Sequence, residues 1–129
     1  MSTDATMAMP TRVLLVEDEF LIRDMVTEVL TGHGCEVHVA ATAADALQHL
    51  TGGARCDVLF TDINLPGGVD GTRLAQLARQ LRPGLPVVYA SGLFSAIGQL
   101  EAVPDAVFVP KPYDPEKVWD LLRKRVSRH

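Results

Sequence analysis

The sequence is short of the residues that would announce several common functions. Two cysteines in 129 residues, Cys35 and Cys56, form neither two pairs nor a metal-type spacing. A disulfide framework and a structural zinc site are therefore excluded as organising principles, and both residues are expected as buried or half-buried thiols in a reducing cytoplasm. The four histidines are scattered; His33 is expected near a helix end and His38 on a strand surface. Aromatic residues make up only 5% of the chain, too few for the platforms on which single-stranded nucleic acids stack. Positive charge is scarce as well. Twelve Lys and Arg against sixteen Asp and Glu leave a net charge of −4, which argues against a phosphate-backbone footprint and direct nucleic-acid binding. No glycine-rich phosphate cradle follows the first apolar run, so a nucleotide- or flavin-binding module lacks support. Residues 1–9 hold an acid and no base, unlike a secretion signal, and residues 1–10 are expected to be a disordered tail. One long stretch, Pro83 to Leu100, carries no charge, but its three glycines, two prolines, two serines and a glutamine fit a buried strand plus a weak helix better than a membrane span.

What is present is an ordinary globular composition, 47% hydrophobic and 22% charged, at a length that makes one domain, here residues 11–127. Short apolar runs alternate with helical periodicity. Strands are expected at 11–16, 36–40, 57–61, 86–90 and 106–109. The first helix spans 19–33, with Ile22, Met25, Val26 and Val29 at core spacing and glycines 32 and 34 closing it. Thr42 starts the second, with Asp45 three residues on. Asp70 or Thr72 opens the third, which carries Leu74, Leu77, Ala78 and Leu81 and stops at Pro83-Gly84. Asp114-Pro115 supplies a cap and a first-turn proline for the last, with Val118, Leu121, Leu122 and Val126 inward. Between Gly92 and Asp105 a fourth helix, holding Gly98 and ended by Pro104, would be weak. Five strands alternating with five helices predict a parallel α/β sheet covered on both faces.

Four of the strands run into polar residues. Val13–Val16 meets Glu17-Asp18-Glu19, Val58–Thr61 meets Asp62, Pro86–Ala90 meets Ser91, and Val107–Pro110 meets Lys111. In an open parallel sheet the C-terminal strand ends share one edge, where ligands bind. Carboxylates crowded there repel one another unless a cation lies between them. Glu17, Asp18 and Asp62, with the backbone carbonyl of Asn64, offer the oxygen donors that Mg2+ prefers. Such a site can orient a phosphoryl group for in-line attack by Asp62, leaving an acyl phosphate whose charge Lys111 balances and to which Ser91 donates a hydrogen bond. Singly, each residue has an ordinary explanation: acids favour a helix N-terminus, and an aspartate suits a turn or cap. Jointly, at four strand ends, they are not explained that way.

The combination Val16-Glu17-Asp18-Glu19, Thr61-Asp62 with Leu65-Pro66 and Asp70-Gly71, Ala90-Ser91-Gly92, and Val109-Pro110-Lys111-Pro112 resembles the receiver domain of two-component response regulators, over residues 11 to about 127. The resemblance implies a flavodoxin-like receiver fold with strand order 2-1-3-4-5 and a cis Lys111-Pro112 bond. It implies Asp62 as the phosphoacceptor, Asp18 with Glu17 as the metal acid pair, and Ser91 and Lys111 as phosphate sensors. It also implies a histidine kinase or histidine phosphotransfer protein as donor, docking on Phe20 and Leu21, which fall off the core stripe of the first helix. Output would pass through the face of the fourth helix, fifth strand and fifth helix, with Phe108 as the switch aromatic and the basic run of Arg123, Lys124, Arg125 and Arg128 nearby. That face would bind a downstream protein or a second copy of the chain. With nothing after the last helix, the expected type is a stand-alone cytoplasmic receiver. The chain departs from the family in four ways. One residue is inserted in Gly67-Gly68-Val69, and the Ser91–Lys111 segment is shorter by about two residues than the usual pattern. Phenylalanine stands where a switch tyrosine is usual, and serine replaces the commoner threonine. The rivals are a phosphorylation-independent adaptor and an aspartate-nucleophile phosphatase. The latter normally carries its nucleophile on the first strand, not the third, and has a second aspartate where this chain has Asn64.

Overall fold

The computed structural model describes residues 9–92 and 102–126. Five strands, β1 (Arg12–Val16), β2 (Glu36–Ala40), β3 (Val58–Asp62), β4 (Val87–Ser91) and β5 (Val107–Pro110), pair in parallel in the order β2-β1-β3-β4-β5. Four described helices, α1 (Phe20–Gly32), α2 (Ala43–Thr51), α3 (Gly71–Leu81) and α4 (Pro115–Val126), cover the sheet. β3 and β4 are buried along their whole length, as strands with helices on both faces must be.

Alternate residues of each strand feed opposite cores. Leu14, Val16, Leu59, Val87 and Tyr89 pack with Ala46 and Leu50 of α2 and Leu74, Ala75 and Ala78 of α3. Val13, Leu15, Val58, Phe60, Val88, Ala90 and Val109 pack with Val26 and Leu30 of α1 and Val118 and Leu122 of α4. Each of the larger side chains removed from water in this way contributes about 1.5–3 kcal/mol.

The caps fall where the sequence places them. The Thr42 side chain accepts from the Asp45 N–H at 3.2 Å, and Asp70 accepts from the Arg73 N–H at 2.9 Å. Asp114 accepts from the Glu116 N–H at 2.9 Å. Each bond satisfies a backbone donor that the first helical turn leaves open.

Some expectations are corrected. On α1 the row that meets the sheet runs through Ile22, Val26 and Leu30, so Val29 is half-buried and Met25, at the rim of that row, is 46% exposed. On α3, Ala75 rather than Leu81 completes the core stripe, and Leu81 lies exposed in the last turn. The expected fourth helix falls largely on residues 93–101, outside the described residues. Among the described residues no helix is long and apolar enough to cross a membrane.

Cys35 is buried, Cys56 half-buried, and both are free. Burial pushes each thiol up to about 11. His33 forms the C-cap of α1. Its ring stacks on Trp119 with centroids 5.0 Å apart, and its Nε2 lies 2.7 Å from Glu116 Oε1, which ties α1 to α4. His38 is exposed on β2 and stacks on His49 of α2.

Candidate functional site

Because the strands are parallel, β1, β3, β4 and β5 end at one edge and deliver Glu17, Asp62, Ser91 and Lys111 there. Backbone bonds carry the ladder past the strand ends and fix these residues. The Glu17 N–H donates to Ala40 O at 3.1 Å, Ile63 N–H to Ala90 O at 3.0 Å, and Lys111 N–H to Ser91 O at 2.7 Å. The Lys111–Pro112 peptide is cis.

Asp62 is 6% exposed. Its Oδ2 accepts from Lys111 Nζ at 2.7 Å and its Oδ1 from the Asn64 N–H at 3.2 Å. Glu17 is 1% exposed. Its Oε2 accepts from the Glu19 N–H at 3.1 Å, and its Oε1 lies 3.5 Å from Lys111 Nζ. Glu17 is thus held inside the site and does not decorate the start of α1, the ordinary alternative for these acids. Asp18 is exposed at the mouth. One carboxylate oxygen from each of Glu17, Asp18 and Asp62 lies within 4.8 Å of the others.

The electrostatics follow from this crowding. Burial holds the Glu17 carboxyl above its usual range, and the Asp62 charge adds to this, against the Glu19 N–H and the Lys111 ammonium. For Lys111, burial disfavours the ammonium, but the hydrogen bond and charge of Asp62, followed by Glu17, outweigh it and raise its pKa. Burial, with the nearby charges of Glu17, Asp62 and Glu19, also raises the Tyr113 phenol. Three oxygen donors, two of them buried and one opening to solvent, suit a hard divalent ion that keeps some of its water, and Mg2+ is the ion of that description that accompanies phosphate chemistry.

Ser91 is buried at the end of β4, on the same edge. Phe108 is half-buried on β5, its ring 5.1 Å from that of Tyr89 and tilted by 30°. Phe20 and Leu21 do stand out from the domain, at 63% and 78% exposure, and the Arg23 guanidinium lies over the Phe20 ring at 5.7 Å. Beside them Ile22, Met25, Gly92, Lys111, Pro112 and Tyr113 line an apolar hollow of about 360 Å3. Met25 and Tyr113 were not legible as neighbours of the site, because their proximity is created by α1 leaning on the turn after β5.

Two glycine features shape the Asp62 side. Gly67 and Gly68, in the loop after β3, take φ of 90° and 85°, a left-handed conformation that glycine adopts without a Cβ penalty. At Gly71 the constraint is space. A Cβ there would sit 2.0 Å from the carbonyl oxygen of Asp62 and 2.9 Å from Cα of Ile63. The N-terminus of α3 packs directly on the backbone of Asp62, and the Gly71 N–H donates to Ile63 O at 2.7 Å. The sequence signal for this was the Asp70-Gly71 pair at a helix start.

The family model for the response regulator receiver domain matches residues 13–123. The crystal structure of a response regulator receiver protein from Sinorhizobium medicae superimposes with a TM-score of 0.86 at 28% identity, covering 92% of this chain and 95% of that one. Sporulation initiation phosphotransferase F of Bacillus subtilis is 25% identical over 88% of this chain and 91% of its own length. Uncharacterized transcriptional regulatory protein YbdJ of the same organism is 27% identical over 92% of this chain, but the chain spans only 52% of that relative.

Proposed function

Since the chain belongs to the response regulator receiver domain family of two-component systems, we propose that Asp62 is its phosphoacceptor and that a histidine kinase or histidine phosphotransfer protein is the donor. The observation that carries this reading is the buried Asp62 carboxylate, 2.7 Å from Lys111 Nζ, in a set of three carboxylates. An Asp62 oxygen attacks the phosphorus of a phosphohistidine, the P–N bond breaks, and the imidazole nitrogen leaves with the bonding pair. The product is an acyl phosphate on Asp62. Glu17, Asp18, Asp62 and the Asn64 carbonyl would hold a Mg2+ ion, which would supply charge neutralisation for the transferring group. Lys111, already a hydrogen-bond donor to Asp62, pairs with the phosphoryl oxygens, which bring up to about two negative charges. The Ser91 hydroxyl donates to the same oxygens once it moves toward them.

Docking of the donor rests on surface chemistry. Phe20, Leu21 and Met25 expose apolar area beside the acids, and the hollow next to Lys111 continues it. A helix presenting the phosphohistidine among apolar residues fits there. The output is a change of the face around Phe108 and α4, read by a downstream protein or by a second copy of the chain, in the cytoplasm. The chain's similarity to sporulation initiation phosphotransferase F supports a role in which the domain passes its phosphoryl group on.

The adaptor reading is disfavoured by the assembled acids, serine and lysine. The phosphatase reading is disfavoured by the place of Asp62 on β3 with Asn64 after it. The test is an Asp18→Ala variant supplied with Mg2+ and a small phosphodonor. It should lose both metal binding and labelling. Unchanged labelling would remove the proposed metal site.

A further inference from the structure

We propose that Tyr89 is the positioning residue that couples the phosphoacceptor edge to the chain entering β5, an inference that rests on the receiver reading above. Tyr89 is the largest of the fully buried side chains described. Its hydroxyl oxygen accepts a hydrogen bond from the N–H of Val103 at 3.3 Å. Phe108 is its direct partner across the β4–β5 ladder, and the two rings pack together. Phe108 has no polar atom, so the polar handle of this aromatic pair sits on β4. There it shares a face with Ser91, because residues two apart on a strand point the same way.

The geometry makes this bond a link between three parts of the molecule. Between Tyr89 and Ser91, Ala90 is the register partner of Asp62, and its carbonyl accepts from the Ile63 N–H. The strand that carries Tyr89 is therefore tied to the strand that carries the acceptor. Beyond Val103, the Pro104 carbonyl accepts from Arg79 of α3 at 3.0 Å, and the Asp105 carbonyl accepts from Arg125 of α4. These two bonds hold the approach to β5 to the helices, and the Tyr89 hydroxyl ties it by a hydrogen bond to β4.

At 3.3 Å the Tyr89–Val103 bond is slightly longer than the usual range for an N–H···O bond. Val103 is itself buried, so its N–H has no ready exchange of partner for water. When Ser91 shifts toward a phosphoryl group on Asp62, the strand end that carries Tyr89 shifts with it. The bond to Val103 then either follows or opens. If it follows, residues 102–110 move with β4; if it opens, they are released from it, and in both cases the state of the acceptor site is passed to residues 102–110.

The test uses the intact chain with Mg2+ and beryllofluoride, a stand-in for the acyl phosphate, read by amide NMR and hydrogen exchange. In the wild-type protein the mimic should shift the Val103 amide and change its exchange rate by at least about tenfold. Tyr89→Phe removes one oxygen and keeps the ring. It should bind the mimic with wild-type affinity and retain the shifts at residues 17–19 and 62–64, while the response over 102–110 falls to about a third or less. A full response over 102–110 in Tyr89→Phe overturns the proposal. So does a Val103 amide in the wild-type protein that stays put while the site resonances move, a measurement that needs no variant to fold. Failure of the wild-type protein to bind the mimic at all would overturn the receiver reading and this proposal with it.

Discussion

Gly71→Ala is a one-carbon change that should damage both the fold and the chemistry, and the structure gives its size. The added Cβ would lie 2.0 Å from the Asp62 carbonyl oxygen, where ordinary contact begins at 3.4 Å. The obstacle is backbone, so no side-chain rotation relieves it. Either the start of α3 or the end of β3 must move by about 1.4 Å to reach ordinary packing. Overpacking of this kind costs about 1–3 kcal/mol and occasionally more. Alanine returns at most about 1 kcal/mol of helix propensity, and less at a first helical position than in the interior. The net expectation is a loss of about 2 kcal/mol. With a urea dependence of about 1–3 kcal/mol per molar, that lowers the unfolding midpoint by about 1 M. The displaced atom belongs to the backbone of Asp62, the proposed acceptor, so labelling by a small phosphodonor should also slow, by up to about a hundredfold for a misplacement near 1 Å. Urea titration and labelling kinetics on the same sample read both effects. A variant with wild-type midpoint and wild-type labelling would refute the claim that α3 is seated on the Asp62 backbone.

Other consequences can be read from the same contacts. Glu17 has a raised carboxyl pKa in the folded state, so the native protein binds more protons than the unfolded chain above pH about 4.5. Stability from this group should therefore fall as pH rises through that window, and Glu17→Gln should flatten the fall in denaturant midpoints measured from pH 4 to 7. The thiols of Cys35 and Cys56, pushed up to about 11, should react with iodoacetamide at pH 8 far more slowly in the native protein than in urea; equal rates would show that they are not shielded. His33→Ala removes both the stack on Trp119 and the bond to Glu116, which should cost about 1 kcal/mol and change the emission of Trp119, the one tryptophan in the chain. Phe20→Ala with Leu21→Ala should slow transfer from a phosphohistidine donor protein while sparing labelling by a small phosphodonor; equal loss in both assays would place the docking surface elsewhere.

The strand ends were legible because the signal is local. An apolar run followed by an acid, a serine or a lysine marks a C-terminal strand end, and parallel connectivity then brings such ends together without further information. Caps at Thr42, Asp70 and Asp114 were legible for the same reason, since a cap and its donor lie within three residues. What was not legible depends on how distant elements meet. His33 and Glu116 are 83 residues apart, and nothing near either one announces the other. Met25 fits a core stripe by spacing alone, and only the tilt of α1 on the sheet puts Ile22, Val26 and Leu30 inward instead. Gly71 reads as a turn residue until α3 is placed on β3, and Tyr89 reads as one more apolar position until its hydroxyl is found beside Val103.

The central claim is that Asp62 accepts a phosphoryl group with the help of the groups around it. Its most direct test is intact-mass analysis of the wild-type chain and Asp62→Asn after incubation with Mg2+ and a small phosphodonor. The wild-type protein should gain one phosphoryl group that is lost on omitting Mg2+, and Asp62→Asn should gain none. An equal gain in the variant, or no gain in the wild-type protein under the same conditions, would contradict the account.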